Sequence, residues 1–402
     1  ETINSRVPIW QRPRGEVTDE QMSDFYKEQF GEDAEPVAVI RVAAEGAAVS
    51  YKAMLFIPSE APYDYFTREY EPGLRLYASG VLIMEKCAAL LPEYFRFVRG
   101  VVDSADLSLN ISRETLQHDR QLKTIAANLE KKVKAELVRL LESEPDRYAT
   151  FYRAFGIQLK YGILGDYGLH KDNLKELLMF YSPRAGRAVT LAQYVAEMAE
   201  EQKYIYYACG GSAAALDALP QAEPLRARGY DVLYMTDDVD EFVVRALGSF
   251  EEKELRSVTS DDLGLLTEEE KRDTEVSEEA NRPLLDFVTE ALGGRVAAAK
   301  LSSKLVSAPV CLATQGGVTL EMEKYFSAMR TAEGAEPVRA ERVLELNASH
   351  GEFEALKAAF EGDKERAAKL AELLYGQAVI MAGLTVEDPV RFCEIMGEFI
   401  AG

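Results

Sequence analysis

The stretch Gly100-Val-Val-Asp-Ser-Ala-Asp-Leu-Ser-Leu-Asn-Ile-Ser-Arg-Glu-Thr-Leu-Gln117 carries the residues best placed to do chemistry. A loop there delivers Arg113 to the beginning of a helix. A cation opposes the helix dipole at that end, which favours anions. With an anionic ligand present the same end becomes attractive, because free backbone N–H groups and the guanidinium converge on it. The plainer alternative is a solvated arginine on an amphipathic helix. The doublet Gly210-Gly211 follows a strand, but neither G-x-G-x-x-G nor G-x-x-x-x-G-K-[ST] occurs, so a tight strand-to-helix turn is expected. No G-x-S-x-G nucleophile elbow is present. Cys87, Cys209, Cys311, Cys393 and His118, His170, His350 are scattered, which gives no clustered metal-ligand set. The residues alone spell out no self-contained active site.

The elements that must carry these residues alternate between strand and helix. Short apolar runs at Val37–Val42, Tyr51–Ile57, Leu74–Tyr77, Val81–Met84 and Phe95–Val102 predict strands. Leu122, Ile125, Ala126, Leu129, Val133, Leu137, Leu140 and Leu141 then recur at steps of three and four. They predict a long amphipathic helix from Arg113 or Glu114 to Leu141. Residues 146–185 read as a small helical connector rich in aromatics. A second α/β unit follows over 186–270, with a helix start at Thr190, strands at Tyr204–Cys209 and Val232–Met235, and a helix at Ala213–Leu219. That order favours a mainly parallel sheet. Glu251–Glu279 is charged and poor in apolar residues, as a linker or exposed helix would be. After Arg282-Pro283 a last α/β unit is expected to begin. It closes on two helices, the final one opened by Asp388-Pro389. The fold class is α/β: a middle region of two α/β units joined by the connector (1–145, 146–185, 186–270), then a mixed α/β C-terminal domain over 271–402.

At 402 residues, more than one domain is required. The 46 Lys+Arg against 68 Asp+Glu leave a net charge of −22, which disfavours nucleic acid and anionic membranes as partners. The absence of a long apolar run and the unpaired cysteines lead us to expect a reducing cytoplasm. The opening Glu1-Thr2-Ile3 leads us to expect a piece of a longer protein.

GVVDSADLSLNISRETLQ resembles the catalytic-loop signature of the heat-shock protein 90 family. ETINSRVPIW, YKAMLFIPSEAPYD, LPEYFRFVRGVVDS, KYIYYACG, DVLYMTDDVDEFVVRAL, SSKLVSAPVCLAT and LELNASH follow in that family's order. Eight segments in register are very specific, and the bacterial form is the nearest in pattern. The resemblance implies a dimeric, stress-induced, ATP-driven chaperone that binds non-native client proteins. ATP and Mg²⁺ would belong to an N-terminal nucleotide domain of the same chain. This part alone would hold no cofactor and would not hydrolyse ATP. Arg113 would reach the γ-phosphate, with Asn110 and Gln117 supporting the loop. Two departures stand out: Ser108 takes the place of a loop proline, and Ala78-Ser79-Gly80-Val81-Leu82-Ile83 lacks an arginine pair usual in the family.

Two apolar surfaces follow from the same comparison. Val318, Met322, Tyr325, Phe326 and Met329 share a helical face in a region the family turns toward clients, and methionine-rich faces adapt to varied partners. Trp10 resembles a residue of the client-contacting surface. Ordinary core packing is the competing fate of both. Leu370, Leu373, Leu374, Ala378 and Met381, with Phe392, Ile395, Met396, Phe399 and Ile400, form apolar sides on the last two helices. The family joins such helices in a four-helix bundle across a two-fold axis. The rival class is an autonomous α/β enzyme with an unrecognised active site, using the crevices at the strand ends.

Overall fold

The computed structural model describes residues 7–46, 49–107, 120–165, 167–260, 262–329 and 338–401. The chain divides into two compact units, Glu1–Met179 and Phe180–Gly402. The first is built on a five-stranded sheet in the order β1-β2-β5-β3-β4. Its strands are β1 (Ala38–Glu45), β2 (Ser50–Ile57), β3 (Leu74–Ala78), β4 (Val81–Cys87) and β5 (Arg99–Ser104). All the pairs are antiparallel except β3 with β5. Ser79 and Gly80, both at positive φ, make the two-residue turn between β3 and β4. Gly100 is needed where β5 crosses β2, because a Cβ there would overlap the Met54 carbonyl oxygen.

The helix Arg120–Ser143 carries the predicted stripe. Leu122, Ile125, Leu129, Val133, Leu137 and Leu140 are all buried. It is followed by the helix Pro145–Leu164, whose Tyr148, Phe151 and Phe155 are buried and whose Phe155 stacks on Phe97 at 5.0 Å. The connector ends differently from expectation. Met179–Ser182, which includes Phe180 and Tyr181, is strand β6, because Tyr181 pairs with Tyr234.

The second unit holds a six-stranded sheet, β10-β11-β8-β9-β6-β7. Its further strands are β7 (Arg187–Thr190), β8 (Ile205–Cys209), β9 (Leu233–Met235), β10 (Ser249–Phe250) and β11 (Lys253–Ser257). The β11–β8 and β8–β9 ladders are parallel, while β10–β11 and β6–β9 are antiparallel, so the expected parallel sheet is confined to the centre. The charged stretch from Glu251 is thus partly sheet. Buried Leu255 and Val258 outweigh its polar neighbours.

A helix Glu268–Ala291 opens the last region, capped by Thr267 and Glu270. Pro283 lies inside it and not ahead of a new unit; it cannot donate to the Glu279 carbonyl, and the helix continues without that bond. Beyond it stand β12 (Ala298–Leu301), β13 (Val310–Gln315) and β14 (Glu341–Leu346), in the order β12-β14-β13. Lys304, nine-tenths buried, bridges Glu345 at 2.8 Å and donates to the Ser260 carbonyl at 2.8 Å. That contact ties the end of the six-stranded sheet to the three-stranded one.

Candidate functional site

Asn110, Arg113 and Gln117, with Ser108, lie outside the described residues. The strand that leads to them is well defined. Asp103, buried near the end of β5, accepts from Trp10 Nε1 at 3.1 Å, Gln11 Nε2 at 2.6 Å and the Gly80 amide at 3.1 Å. Ser104 Oγ donates to the Ser50 carbonyl, and the Ser50 amide donates to Asp106. Four hydrogen-bond donors from three distant segments therefore fix where the chain leaves β5. Gly80, in the place of the family's arginine pair, takes part through its backbone.

Trp10 is half-buried. Besides its bond to Asp103, it packs on Tyr77 at 4.9 Å and Phe25 at 5.8 Å. The residue thus has a structural role that would suffice to explain it.

The apolar stripe near 320 falls on the helix Leu320–Ala328, capped by Thr319, whose hydroxyl accepts from the Met322 amide. The structure splits the stripe. Met322 is 6% exposed and belongs to the interior, whereas Met329 is 59% exposed and Phe326 lies open beside it. Tyr325 and Phe326 meet the ring of Phe242 edge-on at 4.9 and 5.6 Å. Next to them lies a cavity of about 300 Å³ walled by Cys209, Gly210, Gly211, Thr236, Asp237, Asp238, Glu241, Glu321, Lys324, Tyr325, Ala328 and Met329. It sits at the carboxyl ends of the parallel strands β8 and β9, where ligand crevices form in α/β sheets. Phe242 and Glu241 lie in the segment DVLYMTDDVDEFVVRAL, where nothing in the sequence assigns either a site role. The signal that could have found them is this strand-end position together with the Gly210-Gly211 turn, which Ser212 caps into a short helix.

The last two helices, Lys364–Met381 and Pro389–Ala401, pack closely because position 376 is glycine; a Cβ there would strike the ring of Phe392. Asp388 Oδ1 accepts from the Arg391 amide at 2.9 Å, the cap anticipated from the sequence. Leu374 and Ile395 are buried; Leu370, Leu373, Met381, Phe392 and Phe399 are half-buried. Lys369–Glu398 at 2.9 Å and Arg366 over the Phe399 ring hold the pair together at its far end. The final helix also has a second apolar facet. Val390 is 67% and Ile400 79% exposed, and Met396 and Cys393 are open with them. Ile380 of the preceding helix is exposed too.

The Hsp90 protein family model matches residues 1–401. The chain belongs to the Hsp90 family. It is 49% identical over 401 residues to the chaperone protein HtpG of Clostridium perfringens, covering 98% of this chain and 63% of that protein. It is 48% identical over 400 residues to HtpG of Bacillus subtilis and 48% over 401 residues to HtpG of Alkaliphilus oremlandii, with the same coverage in each case. This Hsp90 chain therefore spans a little under two thirds of the length of the curated relatives it matches. Among the described residues, no group of His, Cys, Asp or Glu could hold a metal ion. Among them, too, no helix is long and apolar enough to cross a membrane.

Proposed function

We propose that this chain is the client-holding and dimerising part of an ATP-gated chaperone of the cytoplasm. The observation that carries the reading is the exposure of Phe326 and Met329 beside an interior Met322. A helix whose inner end is core and whose outer end offers deformable apolar side chains can stay folded while contacting varied partners. Clients are non-native polypeptides. A homodimer forms through the open facet of the final helix, with Leu370, Leu373, Leu374, Met381, Phe392, Ile395 and Phe399 shaping the helix pair behind Met396. ATP and Mg²⁺ are bound by a nucleotide domain elsewhere in the longer protein. Arg113, supported by Asn110 and Gln117, faces the γ-phosphate there, where a cation stabilises transition-state charge. Trp10 serves the same cycle by fixing the strand that enters this loop.

The test is suppression of aggregation of a model unfolded protein. Met329→Ser should weaken it at a nearly unchanged melting temperature, and adding Phe326→Ser should weaken it further at some cost in stability, because that ring also packs on Phe242. Undiminished suppression by a folded double variant rejects this client site. In a chain that includes the nucleotide domain, Arg113→Ala should lower ATP turnover about tenfold or more with little change in nucleotide affinity. Steady ATP hydrolysis by the present chain alone would favour the autonomous-enzyme alternative instead.

A further inference from the structure

The cavity beside Tyr325 has a chemistry that an apolar client surface does not need. Four of its wall residues are carboxylates, Asp237, Asp238, Glu241 and Glu321, against one lysine. That lysine is committed: Lys324 Nζ lies 2.6 Å from Glu321 and donates to the Ala382 carbonyl at 2.9 Å. Behind the cavity is a smaller chamber that shares Cys209, Glu241 and Glu321 as walls and adds Gln221 and Thr319. Gln221 is 3% exposed; its Nε2 donates to the Leu312 carbonyl, but its Oε1 meets no donor among the described residues. A buried amide oxygen without a donor is unfavourable, and a ligand that supplies one is favoured. Burial also raises the Glu241 carboxyl above its ordinary pKa, despite hydrogen bonds from Cys209 and Thr319 and the charge of Arg245. Cys209 itself is held well above the usual thiol range by burial and by the neighbouring carboxylates, so it stays protonated and can donate to Glu241.

The two cavities together set four carboxylates and the Gln221 oxygen against a single committed lysine, with hydroxyls such as those of Thr236 and Tyr325 able to donate or accept. The ligand that best complements the acidic excess and the Gln221 oxygen is a cation, carries several donors, and tolerates an aromatic wall. A guanidinium meets all three conditions: five N–H donors in a plane, weak hydration, and affinity for ring faces such as that of Tyr325. The rim formed by Tyr325, Ala328 and Met329 suits an aliphatic stem. We propose that this cavity seats an arginine side chain of a bound non-native polypeptide, its guanidinium directed toward Glu241 and Gln221. The inference rests on the client-holding reading above and gives it a preference: segments in which an arginine neighbours apolar residues.

The experiment uses the full chain and three unstructured peptides that differ at one position, carrying arginine, lysine or uncharged citrulline amid apolar residues. Binding is followed by fluorescence anisotropy. The arginine peptide should bind about tenfold more tightly than the citrulline peptide, the order of a hydrogen bond to a charged group, with lysine between them. Glu241→Gln should bring the arginine-to-citrulline ratio near one. Asp238→Asn, at an exposed residue, should lower the ratio by a smaller factor. Equal binding of the arginine and citrulline peptides to the parent chain overturns the arginine seat while leaving the client reading intact. Lysine binding as tight as arginine overturns the guanidinium assignment. If none of the peptides binds, the client reading fails as well.

Discussion

Two amphipathic helices in this protein follow the same sequence rule and end in different circumstances. In Arg120–Ser143, Leu122, Ile125, Leu129, Val133, Leu137 and Leu140 form one stripe, and all six are buried against the first unit. In Pro389–Ala401, only Ile395 is buried; Phe392 and Phe399 are half-covered by the preceding helix, and Val390, Met396 and Ile400 remain open. The spacing of apolar residues states that a face must be covered, but not by what. The first helix finds its cover within its own unit. The second has more apolar surface than the preceding helix covers, and on the reading proposed above a second copy of the chain takes up the rest. The Leu320–Ala328 helix combines both cases along one stripe, with Met322 inside and Met329 outside.

The contrast can be broken by substitution. Leu129→Ala should cost the most, about 3 kcal/mol or more, because a fully buried leucine leaves a cavity that its neighbours refill only in part. Chemical denaturation measures it; a loss below about 1 kcal/mol would mean that the stripe is less tightly enclosed than its burial indicates. Met322→Ser should come next, at about 2–3 kcal/mol, while Met329→Ser stays within about 0.5 kcal/mol. Equal melting curves for these two variants would erase the split along that helix. Gly376→Ala should cost about 1–2 kcal/mol by forcing the Phe392 ring aside. A neutral result would show that the two final helices can slide apart freely. The smallest effect on folding of the single chain, within about 0.5 kcal/mol, belongs to Ile400→Ser, because within one copy the side chain leaves no interior behind.

Much of this is legible in the sequence. The Arg120–Ser143 stripe, the Thr190 and Asp388 caps and the strand-to-helix turn at Gly210-Gly211 follow from periodicity and capping chemistry, which act over a few residues. Errors arose where distant partners outweigh local composition. Lys253–Ser257 looks like linker but pairs with β8, and Met179–Ser182 looks like the end of a helical connector but joins β9. Pro283 reads as a boundary, yet the helix around it is held by Leu284, Leu285 and Val288 in the core. The candidate site divided in the same way. The stripe from Val318 to Met329 shows in the sequence. Glu241, Phe242 and Gln221 do not, because they lie some eighty to a hundred residues away from it and nothing in their local spacing marks them. The Asp103 cluster was hidden for the same reason, since Trp10, Gln11 and Gly80 converge on it from separate segments.

The open facet of the final helix is the feature on which the dimeric chaperone reading most depends, and the mass of the chain in solution tests it directly. Sedimentation equilibrium at micromolar concentration should give twice the chain mass for the parent protein. The Met396→Glu, Ile400→Glu double variant should give a single chain mass with an unchanged circular-dichroism spectrum, because both side chains are exposed within one copy, while its melting temperature falls by what the dimer contributes. A parent protein that sediments as one chain, or a folded double variant that still sediments as two, would contradict the account.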